Sequence, residues 1–478
     1  MKDKMDLFQQ QPFLKVIKEL AKTNRTSIFL VGGFLRDLYL KRETADYDFC
    51  VEKDALKFAE AFAQQIHGVF IVLDEDRKCG RVIKKKNQKV TTFDFTDFRA
   101  KTLKGDLAAR DFTINTFYID LLKWQDGMDL FQLLKKQKRA FADLRKKTIC
   151  MTGKKIFLED PLRMLRAFSL KASLGFTIDA STIDEIKKNV DLIRTVSAER
   201  INTELFKIFA GAQTAKVLKQ MDRCGILERV IPQVRVMYKC EQGGYHHLDV
   251  WKHSLEAVAQ ADYLFKEIKE ESHLNEYLDE KIGGNHSRRS IIKFAALLHD
   301  IGKPQTRKRN EIRYTFYGHE RVGKGIVRTI CKLLKVSTKE RYVIEDLVLH
   351  HLRPGFLSNF KKPSERSIFR FFRDTKEEAV SVLLLSLADQ RATRGPMTTQ
   401  EDQLHHETIC KNLIVRYFDK TKEVPKERLI TGHDIRKILK VKPSPLYGKI
   451  LTDVEEKQGL GKIQTRKQAL EYVRKYKK

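Results

Sequence analysis

The chain has 478 residues, 42% of them hydrophobic and 33% charged, with a formal net charge of +30. Length alone leads to an expectation of about three or four domains, and the positive excess favours a polyanionic partner, nucleic acid ahead of membrane. No run approaches the roughly 18 to 20 apolar residues of a membrane span, the N-terminus lacks a signal-peptide core, and seven scattered cysteines without a CxxC argue against a zinc ribbon or a disulfide framework, so a cytoplasmic protein is expected.

Residues 1–25 read as an amphipathic helix. Ile28 to Val31 form a short apolar run with strand composition. Gly32 and Gly33 end it. Two glycines let the backbone approach a bulky anion and leave amides free at the next helix N-terminus, where phosphate is favoured. A helix-like segment with Arg36 and Asp37 follows, then a turn from Lys41 to Thr44, then Asp46-Tyr47-Asp48. Residues two apart on a strand leave the same face. Asp46 and Asp48 would therefore repel each other unless a cation sits between them, and oxygen ligands suit magnesium. A phosphate cradle beside such a site is what metal-assisted nucleotidyl transfer needs.

Ala55 to His67 has helical periodicity and Val69 to Leu73 is strand-like. Arg81 to Lys85 and Lys89 to Phe95 read as strands joined by a polar turn at residues 86–88. Asp94 alternates with Phe93 and Phe95, so it can face Asp46 and Asp48 as a third carboxylate, with Asp97 as the competitor. Arg110, Asp111 and Asn115 are polar groups in an apolar setting. Strand signals stop near residue 150, and helices are expected beyond it.

Asp160 before Pro161 reads as a helix N-cap with proline at the first helical position. Arg163 can share its face. A local cap and salt bridge would explain both residues. A carboxylate and a guanidinium can also present a protein substitute for a Watson–Crick edge, accepting from an exocyclic amine and donating to a ring nitrogen or carbonyl. Val217 to Ile231 reads as a helical hairpin broken at Gly225. Between residues 240 and 400, YHHLDVWKH (Tyr245–His253), FAALLHDIGKP (Phe294–Pro304), FYGHE, IEDLVLHH and LLLSLAD each place polar groups at the edge of an apolar helix. Imidazole and carboxylate together suit a divalent ion. In the tail, Pro443, Pro445 and Gly448 punctuate two helices.

The order Gly-Gly, Arg-Asp, Asp-x-Asp resembles the N-terminal motif of the nucleotidyltransferase branch that holds bacterial tRNA 3′-terminal (CCA-adding) nucleotidyltransferases and poly(A) polymerases. The resemblance runs from about residue 26 to 474. It implies an α+β fold: a polymerase β-like mixed-sheet head (1–150), a helical neck and body (151–240), an HD phosphohydrolase-like domain (241–400) and a basic helical tail (401–478). It implies catalytic Asp46, Asp48 and Asp94 with Mg2+, and a triphosphate held by Gly32, Gly33 and Arg36. Arg110, Asp111 and Asn115 take the ribose and phosphates, although Ala109 stands where a first arginine is expected. Glu159, Asp160 and Arg163 match the base-selecting motif, with Arg200 and Glu204 as braces. The four HD ligands map onto His253, His299, Asp300 and Asp389. There the divalent metal is of unknown identity, an active site is expected, and His319, His350 and His351 are additional or phosphate-facing candidates. Thr431, Gly432, Asp434 and Gly448 match the family tail.

Two departures bear on activity. Only six residues separate Arg99 from Asp106, where many CCA-adding members carry a long loop. The family's Gly-rich Asp motif is missing downstream: Gln125 to Leu134 has one glycine, and a lysine-rich insert follows. The expected function is addition of CMP, AMP or both from CTP and ATP to the tRNA 3′ end. A partial CC- or A-adding enzyme, a poly(A) polymerase, and a non-catalytic RNA-binding scaffold with an HD phosphohydrolase are the alternatives.

Overall fold

A computed structural model of the chain describes residues 12–87, 89–125, 128, 130–244, 247–284, 286–310, 313–421 and 427–476. Two compact units emerge, one of residues 1–205 and 221–230, the other of residues 206–220 and 231–478.

The first unit holds a mixed sheet of β1 (Ile28–Val31), β2 (Asp46–Val51), β3 (Val69–Asp74), β4 (Cys79–Lys86), β5 (Lys89–Asp97) and β6 (Tyr118–Asp120). Their spatial order is β3-β4-β5-β2-β1-β6. β2 and β5 are parallel, while β1 runs antiparallel to both β2 and β6. β1 is buried along its whole length, which is why it reads as an uninterrupted apolar run. Helices of this region include α1 (Pro12–Thr23), α2 (Gly33–Tyr39) and α3 (Ala55–Ile66). The expected N-terminal helix is present from residue 12, and its first eleven residues lie outside the described ones. Phe58 and Phe62 of α3 pack their rings on Phe93 and Phe95 of β5. That packing buries the odd-numbered face of β5 and turns Asp94 the other way.

Helices follow, among them α4 (Leu162–Leu174) and α5 (Ala198–Ala210). The expectation that strands end near residue 150 needs correction. Two-residue strands pair at 148–149 with 177–178, at 281–282 with 286–287, and at 308–309 with 314–315. Segments this short carry no periodicity.

The second unit is helical. Its centre is α6 (Val250–Glu267), α7 (Arg288–Leu298), α8 (His319–Leu333), α9 (Thr338–His350), α10 (Glu365–Thr375) and α11 (Ala379–Ala392). α6 packs on α7 and α11, and α9 packs on α7, α8 and α11. Nearly every residue of α7 and α11 is buried, as expected of helices at the middle of a bundle. Towards the C-terminus lie α12 (Gly432–Leu439), α13 (Pro445–Gly459) and α14 (Arg466–Arg474). They share a core of Ile435, Ile450, Val454 and Val473. Arg366 and Arg370 of α10 both donate to Glu456 of α13.

No helix among the described residues is long and apolar enough to cross a membrane.

Candidate active site and candidate metal centre

Val31 pairs with Asp48, so the first aspartate-bearing strand meets the chain where β1 turns. The turn is Gly32, with φ +86°. A Cβ there would lie 3.2 Å from Asp48 Oδ2 and 3.4 Å from an Arg110 terminal nitrogen. Glycine is required by backbone and by space alike. The parallel register then sets Asp46 opposite Thr92 and Asp48 opposite Asp94. Three carboxylates thus rise from one face of two neighbouring strands, beside the glycine bend. Asp97 faces elsewhere: it accepts from the Ala55 amide at the start of α3, at 2.7 Å.

Enclosure of Asp48 pushes its carboxyl above the ordinary range; Asp94 and Asp46 add repulsion, and Arg110 and Arg166 oppose it. Asp94 is held by Arg81 through two bonds of 2.7 Å. Thr92 donates to Asp46.

Around the bend, Arg36 donates to Asn115 and pairs with Asp37. Asn115 donates to Asp111 at 3.0 Å, and Asp111 also accepts from the Phe112 amide and pairs with Arg166. Burial would raise the Asp111 carboxyl, but Arg166 and these donors hold it below the ordinary range. Arg110 is buried and turned onto Asp106 and Cys50. The short stretch after Arg99 is ordered: Thr102 caps a helix at Leu103–Ala108.

Asp160 and Arg163 belong to the same corner but do not pair side chain to side chain. α4 starts at Leu162, one residue later than the proline pattern suggests, and Asp160 accepts from its amide at 3.2 Å. Arg200 holds the other Asp160 oxygen at 2.8 Å. Arg163 donates to Ala109 O at 2.8 Å and to Glu159 at 3.2 Å. Glu204 accepts from Ser169, tying α5 to α4.

The second unit gathers His253, His299, Asp300 and Asp389, and adds His319 and His351. Ligand atoms of His253, His299 and Asp389 lie within 4.8 Å of one another, as do those of Asp300, His319 and His351. His253 Nε2 is 2.8 Å from Asp389. Gly302 makes the assembly possible: a Cβ there would sit 2.2 Å from His319 O and 2.7 Å from Gly323 N. Any side chain would drive the start of α8, and His319 with it, out of the cluster.

Burial opposes charge on His299, yet Asp300 and Asp389 raise it to about 10. His351 goes the other way, to about 3, through burial and the neighbouring His299 and His319. Burial works against both aspartates, but His299 holds Asp300 and Asp389 well below the ordinary carboxylate range. His350 is not in this cluster; Arg353 and Asp346 are among its charged neighbours. Tyr245 and His246 lie outside the described residues, as do Asp126, Gly127 and Asp129 of the altered hinge motif.

Three participants escaped sequence reasoning. Arg166 is an exposed helical arginine by its local pattern, and only its spacing from Arg163 hinted otherwise. Arg81 meets Asp94 through the β4–β5 register. Lys303 follows Asp300 by three residues and reaches both Asp300 Oδ2 at 2.7 Å and Gln242 at 2.6 Å.

A mixed sheet with three acidic groups at a glycine bend, joined to a histidine–aspartate helical bundle, defines a nucleotidyltransferase carrying an HD domain. The poly A polymerase head domain matches residues 28–150, the probable RNA- and SrmB-binding site of polymerase A matches 175–237, and the HD domain matches 250–394. The chain thus carries a poly A polymerase head domain and an HD domain, and the curated relatives it is similar to are tRNA nucleotidyltransferases. It is 27% identical to an A-adding tRNA nucleotidyltransferase of Deinococcus radiodurans, over 94% of this chain and 95% of the relative. It is 28% identical to a CC-adding tRNA nucleotidyltransferase of Thermus thermophilus, over 93% and 92%. The fold matches that of a Thermotoga maritima CCA-adding enzyme complexed with tRNA, with TM-score 0.61, 18% identity and coverage of 98% and 97%. Head and HD domain both imply use of a divalent metal.

Proposed function

We propose that this chain is a cytoplasmic enzyme that transfers CMP, AMP or both from CTP and ATP to the 3′ end of tRNA, releasing pyrophosphate. The observation that carries the reading is the β1–β2–β5 register, which stacks Asp48 against Asp94 at the Gly32 bend. Asp46, Asp48 and Asp94 would hold Mg2+, whose chemistry there is to stabilise the attacking and leaving oxygens of an in-line displacement. The fit is supported by the crowding of three carboxylates and the raised Asp48 carboxyl. The backbone bend at Gly32 and Gly33, with Arg36, receives the triphosphate. Arg110, Asp111 and Asn115 shape the sugar and phosphate side.

Asp160 and Arg163 read the base edge. Arg200 fixes the first, while Glu159 and Ala109 fix the second, so the template is ordered before the nucleotide arrives. Arg163 has five N–H donors and these contacts leave some for a base. Residues 1–150 act as the head, 151–240 as neck and body, 241–400 as the HD domain and 401–478 as a basic tail. The excess of lysine and arginine binds tRNA phosphates without reading sequence. In the HD domain, His253, His299, Asp300 and Asp389 hold a divalent ion suited to phosphate-ester hydrolysis.

A narrower version has support of its own. Curated relatives that match along nearly the full length are named A-adding and CC-adding tRNA nucleotidyltransferases, and the segment after Arg99 is a short capped helix rather than a long loop. Addition of one base only is the form these features favour. Incubation with tRNA lacking CCA, and with tRNA ending in CC, using each nucleotide singly and in pairs, tests both versions. One to three added nucleotides are expected. A long A tail would indicate a poly(A) polymerase, and no extension would contradict nucleotidyl transfer.

A further inference from the structure

We propose that this chain forms a two-fold dimer through β3, whose free edge pairs antiparallel with β3 of a second copy and joins the two head sheets into one.

The sheet ends in β3 on one side and β6 on the other, and the two edges differ. At β6 the edge is closed. The Gln137 side chain accepts from the Tyr118 amide at 3.0 Å and donates to the Tyr118 carbonyl at 2.8 Å. At β3 the edge is open: among the described residues β3 pairs with β4 alone. Its Val69, Ile71, Val72 and Leu73 are 62%, 42%, 42% and 46% exposed. Edge strands are ordinarily guarded by a lysine, a proline or an inward charge, and an apolar edge without them invites another strand. Val69 to Leu73 contains none of the three, and the register irregularity of β3 falls after Val72. A nucleic acid or a lipid surface would cover the side chains but offers no ladder to the row of backbone N–H and C=O groups. A strand answers both.

The two ends of β3 specify which strand. At the C-terminal end Asp74, Glu75 and Asp76 outnumber Arg77 and Lys78, and Glu75 and Asp76 are exposed. Arg77 pairs with Asp74. At the N-terminal end the Lys84 ammonium donates to the carbonyls of Ile66 and His67, at 2.6 and 3.3 Å. Lys85 and Lys86 follow it, both exposed. One end is acidic and the other basic, so a copy turned end for end meets opposite charge at both ends. That is the self-complementarity of an isologous contact. An axis through Ile71 sets Ile71 against its own counterpart, Val69 against Leu73, and His67 against the partner's Glu75. Lys84, seated on the His67 carbonyl, then faces that carboxylate. A contact one strand long is small, so the dimer depends on concentration.

The test is sedimentation of the full chain without nucleic acid, from about 1 to about 200 µM. A passage from one chain to two is expected. Ile71→Lys sets like charges across the axis and should weaken association by about tenfold or more, with circular dichroism unchanged. Glu75→Lys and Lys84→Glu should each weaken it as well. An equimolar mixture of those two variants should restore it, because each chain then meets opposite charge at both ends, and recovery in the mixture excludes misfolding as the cause of the loss. A single chain at every concentration would overturn the proposal. So would a dimer that none of these substitutions weakens, or a mixture that stays weak. Protection of the Val69–Leu73 amides from hydrogen exchange only when tRNA is added would give the strip to nucleic acid and overturn self-pairing.

Discussion

The head and the HD domain offer two cation sites built by opposite means. In the head, the candidate ligands come from one face of two neighbouring interior strands, are all carboxylates, and are answered by protein cations such as Arg81 on Asp94. In the HD domain they come from helix ends, mix nitrogen with oxygen, and include histidine tautomers set by backbone carbonyls. Oxygen ligands suit magnesium, an ion that can accompany a nucleotide. A buried nitrogen-rich cage suits a resident ion.

The largest expected break in this comparison comes from Gly32→Val. A β-branched residue at φ +86° is strained by about 1 to 3 kcal/mol, and its Cβ would press on Asp48. Nucleotide incorporation should fall by about 100-fold or more, while phosphate release at the HD site, followed with a chromogenic phosphomonoester, stays near wild type. Equal loss of both activities would mean that the two sites are not separable.

Arg163→Ala is a smaller probe. It removes one half of the base template but none of the carboxylates. Misincorporation of the wrong nucleotide should rise about tenfold, read as the ratio of kcat/KM values, with less effect on the correct one. A uniform drop across all four nucleotides would reduce Arg163 to a brace for Ala109.

Glu456→Gln is expected to be the mildest. Burial raises the Glu456 carboxyl, yet bonds from Arg370 and Arg366 bring it below its ordinary 4.5. A lowered carboxyl contributes stability that is complete above the ordinary value and disappears as pH falls through the folded one. Both arginines are well exposed, so the contribution is about 1 kcal/mol. Thermal melts should show the variant less stable at pH 7, with the difference shrinking as the pH falls below the ordinary carboxylate value, and incorporation at neutral pH little changed. A difference that persists in acid would point to packing instead.

Much of the head could be read from residues. β1 is apolar because it is buried on both faces, β5 alternates because α3 covers one face, and the spacing of Asp46 and Asp48 implies a shared side. What could not be read depends on register. Arg81 and Asp94 are 13 residues apart in sequence, and only the hairpin pairing brings them together. In the HD domain, the residue types announced a cation site, but not that Asp300 divides its oxygens between two histidine pairs. That follows from where α7 and α9 end and where α8 begins, which no periodicity encodes. His350 and His351 are adjacent, yet only His351 points into the cluster.

The most direct measurement is incorporation of labelled nucleotide into trimmed tRNA by Asp46→Ala and Asp48→Ala chains, with tRNA affinity measured in parallel. Loss of incorporation by about 1,000-fold or more, with affinity within a few-fold of wild type, is the predicted result. Extension at the wild-type rate by either variant would contradict it.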